Sequence, residues 1–170
     1  MACDSCWTCG DTVDTLATKI DRLRSGALLG SAGDNDGRTV RGLFETVRTS
    51  KQIPPRESLL AIRCDYMGLL VLPDGKIFKI STTLIHPDHF DQAFQETADD
   101  VGVWETNSLF AAIGSGSSFA LAAMEAGMDA RAAVRIACKY DIHSRPPIYS
   151  MSLVQKKFGR VLTKNRARAS

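Results

Sequence analysis

No apolar run in this 170-residue sequence approaches the roughly 20 residues that cross a bilayer as a helix, so a membrane-spanning helix is not expected. The opening Met1-Ala2-Cys3-Asp4-Ser5-Cys6 has no apolar stretch and carries an early acid, which does not read as a secretory signal; a soluble protein of the cytoplasm is the expectation. Internal repeats and low-complexity tracts are missing, which argues against solenoids and arrays. Cysteine is sparse and odd in number, five in all, which suits a reducing compartment better than a disulfide framework. Acid is missing from residues 156–170, where Lys156, Lys157, Arg160, Lys164, Arg166 and Arg168 fall. Outside that tail the balance is 15 basic to 19 acidic residues, so the formal charge of +2 is made by the tail. A basic tail can meet nucleic acid or an acidic surface, but it reads first as a solvated terminus, and nucleic acid is not an expected partner.

What is present fits one ordinary domain: 44% hydrophobic and 24% charged residues, in a chain long enough to bury roughly 70% of its unfolded surface. The opening third reads as sheet, with a turn at Cys9-Gly10-Asp11, a second at Arg24-Ser25-Gly26, and a small-residue buried strand over 27–33. Asn35 or Asp36 can cap a helix over 36–49, in which Val40, Leu43, Phe44 and Val47 recur on one face before Pro54-Pro55 ends it. Residues 59–81 read as a hairpin: Met67 to Leu72, the turn Pro73-Asp74-Gly75, then Ile77 to Ile80. Residues 82–107 are acidic and irregular, with a short helix at 90–99, and read as an inserted excursion. Two helices follow over 117–140, the first stopping at Gly127 and the second capped by Asp129. A last strand over 148–154 closes a domain of residues 1–154, leaving 155–170 as the tail.

Two segments invite chemistry. Ala112-Ile113-Gly114-Ser115-Gly116-Ser117-Ser118 runs from an apolar strand into a helix and offers backbone N–H groups at a positive helix end. It lacks the Lys-Ser or Lys-Thr of a phosphate loop, so nucleotide binding is a minor reading. Cys3-x-x-Cys6-x-x-Cys9, with His86 and His89, has metal-like intervals. On a strand, however, residues three apart face opposite ways, and free cysteines are the plainer reading. Trp7 and Trp104 are expected in the core or in a subunit contact.

Ala112 to Ser118, then Phe119 to Met124, the turn at Gly127, and Ala133 to Cys138 leading into Asp141-Ile142-His143-Ser144, resemble the C-terminal half of HslV and related proteasome β-subunits. Met1 to Ser5, Thr8, Gly10, Asp11-Thr12, Ala17 to Ile20 with Arg22-Leu23, and Gly26 to Gly33 resemble the N-terminal part of the same N-terminal-nucleophile hydrolases. The resemblance implies a four-layer αββα sandwich and a threonine-type peptidase. In that family the first residue attacks the peptide carbonyl with its own α-amine as base, assisted by a lysine.

Carried over by position, Lys19 is that lysine and Asp4 the carboxylate paired with it, while Ser115, Asp141 and Ser144 hold the amine and its proton path. A helix end bearing Asp and Ser also reads as simple capping. The resemblance implies no cofactor and no metal. It implies a homo-oligomeric ring, a peptide or unfolded-protein substrate, and a possible unfoldase ATPase partner. This sequence departs from the family pattern at its start, where the strand bearing the nucleophile has no counterpart, and over 36–49 and 82–107. Either the active gene product begins further upstream, or the chain is a non-catalytic structural or binding subunit of the same fold. A sheet missing that strand is expected to show an unpaired edge and an open cleft.

Overall fold

A computed structural model of the protein describes residues 1–4, 7–9, 12–14, 19–32, 37–62, 66–82 and 101–153, with backbone alone for 7–9 and 12–14. The chain starts with β1 (Ala2–Cys3), β2 (Trp7–Cys9) and β3 (Thr12–Asp14), the last two forming a small antiparallel hairpin. β4 (Ile20–Arg22) and β5 (Leu28–Ala32) follow, joined by a turn in which Leu23 donates its N–H to the Ala27 carbonyl at 2.9 Å. Helix α1 (Gly37–Phe44), a 3₁₀ turn at Ser50–Gln52 and helix α2 (Arg56–Leu60) lead into the central hairpin, β6 (Tyr66–Val71) and β7 (Ile77–Thr82). Gly75 makes the hairpin turn at φ +91°, a conformation that favours glycine, and Asp74 Oδ1 accepts the Lys76 N–H at 3.1 Å. Strand β8 (Gly102–Glu105), helices α3 (Ser117–Glu125) and α4 (Ala130–Tyr140), and β9 (Tyr149–Ser150) complete the order.

Strands β4 to β8 lie side by side in sequence order as a five-stranded sheet, every ladder antiparallel. Alternation along these strands gives the sheet two apolar faces. Leu29, Tyr66, Leu70, Phe78 and Ile80 point to one, where Val40 and Phe44 of α1, Val47, and Leu59 of α2 meet them. Phe44, Leu70 and Val40 are 0% exposed, and burying each side chain of this kind stabilises the fold by about 1.5–3 kcal/mol. The other face presents Ile20, Leu69, Val71 and Ile77 toward α3 and α4, with a cleft between.

Small residues shape that second side. Ala120, Ala123, Ala133 and Ala137 pack α3 against α4. Two hydrogen bonds close α3: Met128 N–H to the Ala123 carbonyl at 3.1 Å and Gly127 N–H to Met124 at 2.9 Å, the paired bonds of a Schellman ending. Asp129 then caps α4, its Oδ1 accepting the Ala132 N–H at 2.8 Å. β1 pairs antiparallel with β9 as a separate two-stranded sheet and packs beside α4. β1 comes close to the larger sheet at Gly30, where a Cβ would lie 3.0 Å from the Met1 sulfur.

Four expectations need correction. The helix expected over 36–49 stops at Phe44. Val47 closes a turn onto the Phe44 carbonyl, and the Gln52 side chain takes the N–H groups of Arg48 and Thr49 away from helical partners. Residues 59 and 60, read as the start of the hairpin, belong to α2. The excursion over 82–107 ends in a strand of the main sheet, because Val103 and Trp104 are strand formers and β7 still had a free edge; the helix expected at 90–99 lies outside the described residues. Among the described residues the closing strand is Tyr149–Ser150, paired with β1. Trp104 is 45% exposed, so the core half of its reading does not hold, whereas the side chain of Trp7 lies outside the described residues. No helix among the described residues is long and apolar enough to cross a membrane.

Candidate active-site cleft

The cleft has a volume of about 300 Å³ and four walls. The five-stranded sheet forms one through Ile20, Leu69, Val71 and Ile77; α3 and α4 form the opposite one through Ala120, Met124, Ala133 and Ala137. Between these layers, β1 lies along the cleft and so does the segment 109–113. The apolar strand expected to lead into the helix through Ala112 and Ile113 does not form, and none of residues 109–113 makes a backbone hydrogen bond to the described backbone.

At one end the apolar lining gives way to a cluster of charge and hydroxyls. Lys19, just before β4, sets its Nζ 2.9 Å from Asp4 Oδ1, just after β1, and both side chains are mostly buried, at 17% and 13% exposure. Asp4 Oδ2 also accepts the backbone N–H of Arg145 at 3.2 Å. Asp141, the residue that ends α4, accepts a hydrogen bond from Ser115 Oγ at 2.7 Å and one from Ser144 Oγ at 2.6 Å, both on Oδ2. Its Oδ1 takes the His143 N–H at 3.3 Å. Burial at Asp141 works against ionisation, but the bonds from Ser144, Ser115 and His143 outweigh it and hold the carboxyl below its ordinary value.

The five residues expected from the sequence thus come together as two linked groups. Lys19 with Asp4 forms one and Ser115–Asp141–Ser144 the other, joined where Arg145, next to Ser144, binds Asp4. Asp4, Lys19, Ser115 and Ser144 line the cleft, and Asp141 stands behind the two serines. The capping reading of Asp141 accounts for the local bonds from His143 and Ser144. It does not account for a hydroxyl brought in from residue 115, at the other end of a helical hairpin.

Two contributors were not legible. Gly116 caps α3 where a Cβ would stand 2.7 Å from Ser144 Oγ, 3.0 Å from the Ala137 Cβ and 3.2 Å from Asp141 Oδ2. Only glycine leaves room for the serine and the aspartate to meet there; in the sequence it looked like a helix opening. The Arg145 N–H is a backbone donor and has no sequence signature. Of the metal reading, Cys6, His86 and His89 lie outside the described residues. Burial raises the thiol pKa of both Cys3 and Cys138, so each is held protonated and weakly nucleophilic.

Comparison with known proteins places the fold and goes no further. No family model matches the chain, and no curated protein matches it. Among solved structures it resembles Thiobacillus denitrificans BPH, with a TM-score of 0.58 and 18% sequence identity over 87% of this chain and 88% of that one. At that identity the likeness is one of mixed α/β architecture.

Proposed function

We propose that the chain has the four-layer αββα fold of the proteasome β-subunit and HslV type, and that the polar end of its cleft serves threonine-type peptide-bond hydrolysis. Supporting the fold reading, α1 and α2 cover one face of the five-stranded sheet, and the β1–β9 pair lies with α3 and α4 on the other side. One observation carries the functional reading: Asp4–Lys19 and Ser115–Asp141–Ser144 meet at one end of a single cleft.

The chemistry follows from the charges. A hydroxyl that attacks a carbonyl gives up its proton to a base and acquires negative charge as it does so. The Lys19 ammonium, fixed by Asp4, supplies positive charge beside the attacking oxygen. Asp141, kept ionised by its two serines, aligns the protonated base and stabilises the positive charge that forms on it. In this reading the attacking group is the first residue of a strand seated in the cleft, with its own α-amine as base. Cys3 is a poor substitute because its thiol is held protonated.

The non-catalytic alternative draws on a specific observation: the hydroxyls of Ser115 and Ser144 both donate to Asp141, so neither is poised to attack. Fluorogenic peptides separate the readings. Turnover by the protein from its native source, lost on Lys19→Ala, is expected for the peptidase; equal rates for both proteins would sink it. The same reading carries a homo-oligomeric ring, peptide or unfolded-protein substrates and a possible unfoldase ATPase partner. Phe119, Tyr140 and Ile142, exposed along α3, α4 and the turn after them, support a subunit contact. A monomer by light scattering at micromolar concentration would count against the ring.

A further inference from the structure

β8 is the last strand of the five-stranded sheet, and among the described residues no strand pairs with its outer edge. In an antiparallel ladder, residues that exchange both hydrogen bonds with a neighbour alternate with residues whose N–H and C=O point the other way. Thr106 donates its N–H to the Ile77 carbonyl at 2.9 Å, continuing the register in which Trp104 faces Lys79. By that alternation Gly102 and Trp104 bond to β7, whereas Val101, Val103 and Glu105 direct their backbone groups outward. The Val101 carbonyl does point out, since it accepts Arg56 Nε at 3.1 Å. Val103 and Glu105 make no outward backbone hydrogen bond to the described residues.

Proteins usually blunt such an edge with charge or proline. The one charged residue of β8, Glu105, is instead drawn to Lys76, 2.8 Å away, and Trp104 beside it is 45% exposed. The indole lies back over Gly102, where a Cβ would stand 2.9 Å from its ring. The edge is also complementary to itself. Outward residues must meet outward residues, so a second β8 laid antiparallel has three registers within the strand. Centred on Glu105, it sets two carboxylates face to face. Centred on Val103, it sets Glu105 against Val101, whose carbonyl Arg56 already holds. Centred on Trp104, it pairs Val103 of each copy with Glu105 of the other, making four hydrogen bonds. The two indoles then meet in a non-hydrogen-bonded pair, where side chains come closest.

We propose that β8 pairs with β8 of a second copy of this chain, antiparallel about a two-fold axis at Trp104, so that two five-stranded sheets become one. The contact is independent of the cleft and of peptide hydrolysis, and it uses a different surface from the Phe119, Tyr140 and Ile142 patch of the ring reading. It gives Trp104, which the core does not bury, its subunit contact. Four hydrogen bonds and one aromatic pair offset the cost of association narrowly, so a Kd of roughly 0.1 mM is expected.

Sedimentation equilibrium of the 170-residue chain, from about 10 µM to about 1 mM, should show a reversible doubling of mass. Trp104→Lys sets like charges opposite each other and should weaken association about tenfold or more, whereas Trp104→Phe should keep most of it. Over the same range, hydrogen exchange in the unaltered protein should slow at Val103 and Glu105. An exciton couplet from the paired indoles should appear in its circular dichroism and be absent from Trp104→Phe. Oxidised Trp104→Cys should link two copies beyond the parent's background, because Cα atoms about 4.5 Å apart suit a disulfide. Val103→Cys, opposite Glu105, should not. The exchange and the couplet are read on the unaltered protein, so the result does not hang on how the variants fold. A mass that stays single up to about 1 mM, equal association of Trp104→Lys, or protection that spares Val103 and Glu105 would overturn the proposal. An assembly larger than two that survives Trp104→Lys would also overturn it, and would leave the ring standing.

Discussion

Leu69 and Leu70 are neighbours on β6, yet they face two differently made halves of the protein. Leu70 enters a closed apolar core under α1 and α2 and is 0% exposed, whereas Leu69 borders the cleft. On the first side Phe44, Val40 and Leu59 fill the space; on the second, the short side chains of Ala120, Ala133 and Ala137 line a cleft, and Gly116 lets Ser144 and Asp141 meet at one end. The contrast teaches that one sheet can be packed densely on one side while its other side, though its residues Ile20 and Leu28 are buried, still borders a cleft. The other side is then free to hold an arrangement that a dense core would not permit.

The largest expected effect tests that asymmetry directly. Leu70→Ala should cost about 3–4 kcal/mol in urea unfolding, the transfer loss plus a cavity in a core that cannot collapse, while Leu69→Ala should cost no more than about 1.5. Equal costs would mean that the cleft side is packed as tightly as the core. Next in size is Gly116→Ala. Its new Cβ would crowd Ser144 Oγ from 2.7 Å, and the overpacking should cost about 1–3 kcal/mol. It should also push Ser144 off Asp141, which NMR titration would register as a rise in the Asp141 carboxyl pKa.

The ion pairs sharpen the comparison further. Lys19→Met removes a charge-assisted bond from a mostly buried carboxylate and should cost about 1–2 kcal/mol, softened by the Arg145 N–H that Asp4 keeps. Arg41→Met at the exposed pair with Asp21 should cost about 0–1 kcal/mol, and the two losses should differ in salt dependence, the exposed one being screened.

The smallest effect is one of pH. The Asp141 carboxyl is depressed in the folded protein, so its contribution to stability is fully present above the ordinary value of 3.8 and is lost as pH falls through the folded value. Ser115→Ala with Ser144→Ala should bring the carboxyl back toward 3.8 and flatten the acid end of the stability curve. An unchanged acid limb would mean that the serines do not hold the charge.

Much of the fold was legible because its elements carry local signals. The β6–β7 hairpin announces itself through Pro73-Asp74-Gly75, the stop of α3 through Gly127, and the start of α4 through Asp129. β8 was missed because its four residues sit at the end of an acidic stretch, and their strand character depends on the free edge of β7, a partner distant in sequence. The strand expected to lead into the helix through Ala112 and Ile113 failed for the converse reason: the residues suit a strand, but no described strand pairs with them. The polar end was legible only through resemblance, since Asp4, Lys19, Ser115, Asp141 and Ser144 are scattered along the chain. Their meeting depends on a backbone N–H at Arg145 and on a missing side chain at Gly116.

The most direct test of the peptidase reading is the intact mass and N-terminal sequence of the protein from its native source, taken before and after treatment with a threonine-reactive epoxyketone. The peptidase reading expects a first residue that is Thr, Ser or Cys, on a strand and tight turn of about a dozen residues. It also expects a mass increase of one inhibitor that disappears in Lys19→Ala. A protein that begins at Met1 or Ala2 and takes up no inhibitor would contradict it and leave the cleft as a binding site alone.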